Sequence, residues 1–380
     1  GPGVFFSSST NTGGNTPNPS SSDTQAPTVS FTALPETFNT TLFSLSWQAP
    51  DSDIDHFSLA YSVTPSTDGV LLRYENNGSW IDWNQGAANA LSLSSSTKNV
   101  STTAQDGLTY TFTITATDAA GNTSAPNEVT SQILLSKTVV INEIAWMGTT
   151  TANLNDEWIE LLSTVTNTTI DVTGWKIVAE DGSPTITLSE TIAPQGYYLI
   201  ERPDDDNTIS DIAADAFFTK ALENEGEKLS LYDAAGTLID EVDGSDNWMS
   251  RGNNITKQTM ERISSIGSGS NPANWANNNL MSVNGNAADG ITKINGTPKQ
   301  ENSVSKSPTT ITSLRLDEFD SITLTRLGSP YQTSILLLVP EGKTLTIEPG
   351  VTLKFFTSIT PSDAGLEVKG TLRAMGTQTK

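Results

Sequence analysis

Phe43, Leu45 and Trp47 alternate with serine and leave a hydroxyl at every other position of FSLSW; Tyr110, Phe112, Ile114 and Ala116 do the same against threonine in TYTFTITATD. A period of two sends one set of side chains inward and leaves the other in water, which predicts half-buried strands. Similar short runs follow along the whole chain. From Val139 to Glu180 come VVINEIAW, NDEWIELL and IDVTGWKIVAE, three strand-type runs separated by turn chemistry. KLSLYDAAGTLIDEV reads as a hairpin in which Leu229, Leu231, Leu238 and Val242 flank a DAAG turn, and GWKIVAEDGSPTITL as a second, turning at Asp181-Gly182. In DAAGN, Asp118 to Asn122, Gly121 is free to take positive φ. The predicted class is all-β.

Length and punctuation divide the 380 residues into four parts. Residues 1–25 include SSSTNTGGNTPNPSSSDTQ, which cannot bury a core and is expected to be a disordered tether. Its Gly1-Pro2-Gly3 start looks like a protease-cleavage scar, which implies that a signal peptide has been removed. Residues 26–136 and 137–304 each carry enough strands for a β-sandwich. The Asn- and Gly-rich stretch from Gly252 to Ser303 is too long for an ordinary loop. It is expected to lie over the second sandwich as an irregular arm pinned by Ile263 and Trp275, partial disorder being the alternative. In residues 305–380, KTLTIEPGVTLKF and AGLEVKGTLRAMGT set Leu345 and Leu366 in equivalent places, a repeat of roughly 20 residues that indicates a β-solenoid.

Two resemblances sharpen this picture. The Trp of an early strand, the Tyr that starts the late strand and the ending TDAAGNTSAP make residues 26–136 similar to fibronectin type III-like and related bacterial Ig-like repeats. The second module resembles a bacterial lamin tail domain. The matching residues are Ile141-Asn142-Glu143-Ile144, Glu157-Trp158-Ile159-Glu160-Leu161, Gly174-Trp175, Ile192-Ala193-Pro194-Gln195-Gly196-Tyr197, Met260-Glu261-Arg262, Asn274-Trp275 and Gly296-Thr297-Pro298. Lys299 departs from the pattern, which usually has Gly after Thr-Pro. The third piece resembles the first coils of a right-handed parallel β-helix, and a chain showing only about two coils, where about three are needed for stability, is expected to continue beyond this sequence. The fold expectation is therefore tandem Ig-like β-sandwiches followed by the start of a parallel β-helix.

Charge and composition narrow the chemistry. A net charge of −23 without clustered Lys or Arg excludes a phosphate-backbone reader and would repel an anionic membrane surface. The same field keeps a long exposed protein soluble and attracts divalent cations. The chain has no Cys, so disulfides, thiolate zinc sites and thiol nucleophiles are excluded. No stretch approaches the ~20 apolar residues of a membrane-spanning helix. The single His, His56, falls in the loop expected before a strand, and multi-His metal chemistry is not available to it.

Candidate sites are few. Asp51, Asp53 and Asp55 alternate, and closely spaced carboxylates suit calcium. An EF-hand loop does not fit, since His56 stands where its Gly is needed and Ser62 where its bidentate Glu is needed, so the candidate is a looser site at the sandwich edge. Asp204-Asp205-Asp206 reads as a solvated loop. Glu143, Glu157 and Glu160 could suggest an acid/base pair, but Glu157 shares a strand face with Ile159 and Leu161 whereas Glu160 lies on the other with Trp158, which argues for a structural origin. Trp80 and Trp83 are three apart, so a strand sends them to opposite sides. Trp248, flanked by polar residues in DNWMS, is the exposed aromatic expected to contact a glycan or protein.

The expectation is a non-catalytic modular bacterial protein, secreted or at the cell surface, acting as a stiff acidic spacer and adhesion or binding module. Its partners would be an extracellular glycan or surface protein, with no nucleic acid and no membrane insertion. It requires no cofactor, and calcium would stiffen it between modules. The competing expectations are an accessory N-terminal region of a larger secreted polysaccharide-acting or phosphoester-cleaving enzyme, and a structural surface-layer or filament component.

Overall fold

The computed structural model describes residues 23–64, 72–202, 208–356 and 364–376. Most of the expected tether, and Asp204-Asp205-Asp206, lie outside the described residues. The chain divides into two compact units, Gly1–Ile133 and Leu134–Lys380.

The first unit pairs two five-stranded sheets. One runs Ser30–Phe31, Leu42–Gln48, Asn99–Ala104, Leu72–Asn76, Ser79–Trp83; the other runs Thr37–Phe38, Asn127–Ile133, Thr109–Asp118, Ile54–Thr64, Leu91–Ser94. The inward sets predicted by alternation meet between them. Phe43 packs edge-on against Phe112, and Trp47 against Phe57, with ring centroids 6.0 and 5.6 Å apart. The Tyr61 hydroxyl donates to the Trp83 carbonyl at 2.6 Å. The Tyr110 hydroxyl accepts from the Gln105 N–H at 2.9 Å, a tyrosine corner tying the start of the long late strand to the chain just upstream. Gly121 has φ +93°, as its turn requires.

The second unit opens with two more sheets. A six-stranded sheet runs Ala216–Phe217, Tyr197–Arg202, Glu157–Ser163, Val139–Ala145, Met260–Arg262, Trp275–Asn277. A four-stranded sheet contains both predicted hairpins, in the order Thr185–Thr187, Lys176–Ala179, Lys228–Tyr232, Leu238–Asp243. One apolar cluster draws on both, with Ile141, Ile159 and Ile200 from the first and Ile177, Leu229 and Val242 from the second. A buried ion pair joins them: Arg262 reaches Asp240 at 2.6 Å, and Asp240 also accepts from the Ile141 N–H at 2.9 Å. The long arm supplies the last two strands of the larger sheet. Trp275 is buried over the Arg262 guanidinium and Ile263 is half-buried, so the arm is laid on the sandwich as expected.

One irregularity positions the site described below. Along Val139–Ala145 the register with Glu157–Ser163 passes from Ile141 opposite Leu161 to Glu143 opposite Glu160, which leaves Asn142 as the extra residue of a β-bulge. The bulge resets the alternation, so Val139, Ile141 and Ile144 all enter the apolar cluster while Glu143 turns to the opposite face.

The C-terminal residues form three parallel sheets: Thr309–Thr310, Tyr331–Thr333, Leu353–Phe355; Ser321–Leu324, Thr344–Ile347, Thr371–Ala374; and Leu336–Val339 with Gly365–Val368. Their own cluster contains Ile322, Leu324, Leu337, Val339 and Leu345, and also Leu280 and Met281 from the arm. The equivalence of Leu345 and Leu366 does not hold. Leu345 sits in register between Ile322 and Leu372, whereas Leu366 pairs with Leu337 in another sheet. Neighbouring strands in sequence go to different sheets, so a local repeat joined positions that never stack.

Candidate functional site

Glu143 stands directly opposite Glu160 on one side and Glu261 on the other, so three carboxylates form a row across three adjacent strands. Directly opposed like charges repel, and all three residues are 0% exposed. The row survives because the arm closes over it with neutral donors. Glu143 Oε1 accepts from Thr259 Oγ1 at 2.6 Å and from the Thr297 N–H at 2.9 Å. Glu160 accepts from Asn142 Nδ2 at 3.0 Å and from the Lys299 N–H. Glu261 accepts from Asn278 Nδ2 and Ser303 Oγ, both at 2.6 Å. The Lys299 ammonium is engaged with Asp215 at 2.7 Å.

The Thr297 hydroxyl decides the protonation. It lies 2.8 Å from Glu143 Oε2 and 3.0 Å from Glu261 Oε1, yet it has one hydrogen to give. A proton on Glu143 Oε2 completes the chain: Glu143 donates to Thr297, and Thr297 donates to Glu261. Burial, reinforced by the charges of Glu261 and Glu160, pushes Glu143 well above the usual carboxylate range. Burial likewise raises Glu160 to about 8 and Glu261 to about 7. Glu157 is on the other face, paired with Arg202 at 3.1 Å, and burial raises it to about 7. Of the three glutamates singled out in the sequence, Glu143 and Glu160 are brought together in the row and Glu157 is not. Glu261 was visible only as part of Met260-Glu261-Arg262, and its place in the row depends on the bulge at Asn142.

The acidic triplet Asp51, Asp53, Asp55 is not one site. Asp51 accepts from the Thr28 N–H and Oγ1 at 2.8 and 2.9 Å, and those bonds, the N–H foremost, hold its carboxyl below the usual range. Asp55 pairs with His56 Nδ1 at 2.9 Å. His56 is inside the Ile54–Thr64 strand rather than in the loop before it. Asp53 instead meets Asp23 and Asp118, with one carboxylate oxygen of each within 4.8 Å of the others. Calcium–oxygen distances of about 2.4 Å put opposed ligands about 4.8 Å apart, so the set has the spacing of a calcium shell. Asp118 is buried and fixed by the Ala120 and Asn122 N–H groups; the Asn122 side chain is the main cause of its lowered pKa. The alternation in sequence brought in only Asp53, because the partners come from the entry segment and from the last residue of the strand Thr109–Asp118. All three residues lie in the first unit, so this set is not between modules.

Trp248 is not an exposed platform. Asn247, Trp248, Met249 and Ser250 all have φ between 47° and 55°, a left-handed turn that folds the indole inward. Trp248 is 0% exposed, stacks on Trp146 with centroids 6.2 Å apart, and donates from Nε1 to the Glu223 carbonyl at 2.8 Å. Polar neighbours hid this because they face water while the turn aims the ring at the core. Trp80 and Trp83 divide as predicted, Trp80 exposed and Trp83 buried.

Part of the row lies in a segment that matches a known family. Residues 135–245 match the family model of the Lamin Tail Domain. The lamin tail domain match covers both hairpins, Glu143 and Glu160, but not Glu261 or the covering residues. No curated protein matches the chain. Among solved structures it is similar to the FN1-FN3 domains of chicken CNTN1, at 11% identity and TM-score 0.22, covering 55% of this chain and 75% of that one. It is also similar to an arginine-to-glutamate mutant of the SrpA adhesin from Streptococcus sanguinis, at 17% identity and TM-score 0.19, covering 45% and 94%. A third is the sialic acid binding region of the Streptococcus sanguinis SK1 adhesin bound to 3'sLn, at 17% identity and TM-score 0.17, covering 57% of each chain. Superpositions this loose carry no argument about ligand or activity. Among the described residues no helix is long and apolar enough to cross a membrane.

Proposed function

We propose that this chain is a non-catalytic modular protein, secreted or at the surface of a bacterial cell, that spaces and presents binding surfaces for extracellular glycans or surface proteins. The observation that carries this reading is the burial of the carboxylate row. Glu143, Glu160 and Glu261 are 0% exposed and bonded to the arm, so their chemistry is spent on holding the second sandwich together. The charge of −23 supports an exposed, soluble, non-adhering surface outside the specific contact regions. The C-terminal strands pair in three parallel sheets, which supports a spacer role because stacked parallel strands extend by repetition. Asp23, Asp53 and Asp118 would hold calcium, whose charge would pin the entry segment to the first sandwich.

The test is incubation of the purified chain with a panel of extracellular polysaccharides, followed by binding and reducing-end assays. Retention on at least one glycan with no new reducing ends is expected. Release of new chain ends by the wild type, lost in a Glu143→Gln variant, would overturn the non-catalytic reading.

A further inference from the structure

Between the arm and the parallel strands of the second unit lies a groove of about 710 Å³, within the range of small-ligand sites. Arg251 and Arg326 both line it. Among the described residues Arg73, Arg202, Arg262 and Arg315 each pair with a carboxylate, whereas Arg251, Arg326 and Arg373 do not. Two of those three arginines therefore line one cavity of a strongly acidic chain. Arg251 is also held in place. Its N–H donates to the Trp248 carbonyl at 2.9 Å, its carbonyl accepts from Trp146 Nε1 at 3.0 Å, and its Nε donates to the Trp275 carbonyl at 2.8 Å. The left-handed turn at Asn247–Ser250 delivers it there, a backbone conformation that costs about 1–2 kcal/mol per residue and that the packing of Trp248 sustains.

We propose that this groove binds a carboxylated saccharide, with the Arg251 and Arg326 guanidinium forks on the carboxylate and the lining residues Asn253 and Asn277 of the arm and Thr323 of the parallel strands for sugar hydroxyls. Glu348, the one acid lining the groove, accepts from the Arg326 N–H at 2.9 Å and leaves the groove with one net positive charge. An acidic peptide is the lesser fit. Trp275–Asn277 is the edge of the six-stranded sheet, but Trp275 already gives its N–H to Pro272 and its carbonyl to Arg251, which blocks strand addition there. Attraction of an anion by a polyanionic chain must also be local, since the net field opposes it.

This inference rests on the binding reading above and adds the ligand class. The test is titration calorimetry of the full chain with a short glucuronate-containing oligosaccharide, with the same oligosaccharide after reduction of its carboxyl groups to alcohols, and with a polyglutamate peptide. The acid form should bind, and the reduced form at least about tenfold more weakly. Arg251→Lys, which keeps the charge but loses the fork, and Arg326→Gln, at an exposed position, should each weaken binding about tenfold, the second with an unchanged melting temperature. Equal binding of the reduced form, equal binding of the peptide, or no loss in either variant overturns the groove assignment. Persistent glycan binding in the Arg251→Lys/Arg326→Gln double variant would overturn this assignment alone and leave the broader reading standing.

Discussion

Replacing Glu143 with Gln should raise stability at alkaline pH while leaving it nearly unchanged in mild acid. An amide in this place reproduces the protonated carboxyl: Oε1 keeps the bonds from Thr259 and the Thr297 N–H, and Nε2 donates to Thr297 Oγ1, which is then free to donate to Glu261. The parent must instead hold a proton. Such carboxyls ionise in the unfolded chain near the ordinary pKa of 4.5, whereas in the folded protein Glu261 and Glu160 ionise only near 7 and 8 and burial holds Glu143 well above the usual carboxylate range. Between these values the folded state binds more protons than the unfolded state, so stability falls as pH rises through that window. Below it both states are protonated, and above it both are ionised and the stability is lowest. Each proton held only by the folded state contributes a slope of about −1.4 kcal/mol per pH unit. Urea denaturation of the parent and of Glu143→Gln at several points between about pH 5 and about pH 8.5 measures both slopes. Glu157, Glu201 and Glu227, raised to about 7 by burial, tilt both curves equally. The variant's slope should therefore be shallower by about 1.4 kcal/mol per pH unit wherever Glu143 holds its proton only in the folded state, leaving the variant the more stable of the two at the alkaline end. Parallel curves, or a variant weaker at every pH, would refute the shared proton.

Gly296→Ala should destabilise the second unit by roughly 1–3 kcal/mol in the same assay, since a Cβ there would stand 2.6 Å from Glu143 Oε1 and 2.9 Å from Trp158 Cζ2. Arg262→Met removes the 2.6 Å partner of buried Asp240, leaving it the Ile141 N–H and the Lys137 ammonium 4.0 Å away, and should cost roughly 3–5 kcal/mol, read as a lower urea midpoint with unchanged m-value. Calcium at a hundredfold excess over its dissociation constant should stabilise the first unit by about 2.7 kcal/mol in calorimetry, and Asp53→Asn should abolish the gain. Tyr110→Phe should cost about 1 kcal/mol by breaking the tyrosine corner.

The strands were legible because a period of two survives in residues such as Phe43, Leu45 and Trp47, and both hairpins fall where their turn residues put them. The arm was legible in outline from the burial that Trp275 demands. What escaped has a common cause, in that it depends on contacts between segments far apart in sequence. The row needs a bulge at Asn142, which no local pattern announces, and a third carboxylate from the far side of the domain. The Asp23–Asp53–Asp118 set gathers three separate segments, so alternation at Asp51, Asp53 and Asp55 pointed at one member and two bystanders. Trp248 was misplaced because composition reports the flanks of a turn and says nothing of its handedness.

Leu280 and Met281 leave the sandwich and enter the apolar cluster of the parallel strands, and the family match stops at 245, before Met260–Arg262 and Trp275–Asn277 have completed the larger sheet. The evolutionary unit and the cooperative unit are thus different lengths of chain. A recombinant fragment cut at the family border would leave Val139–Ala145 as a naked sheet edge with two glutamates uncovered, and one cut after the arm would carry two orphaned hydrophobic side chains. Fragments meant to report on this module need the parallel strands as well.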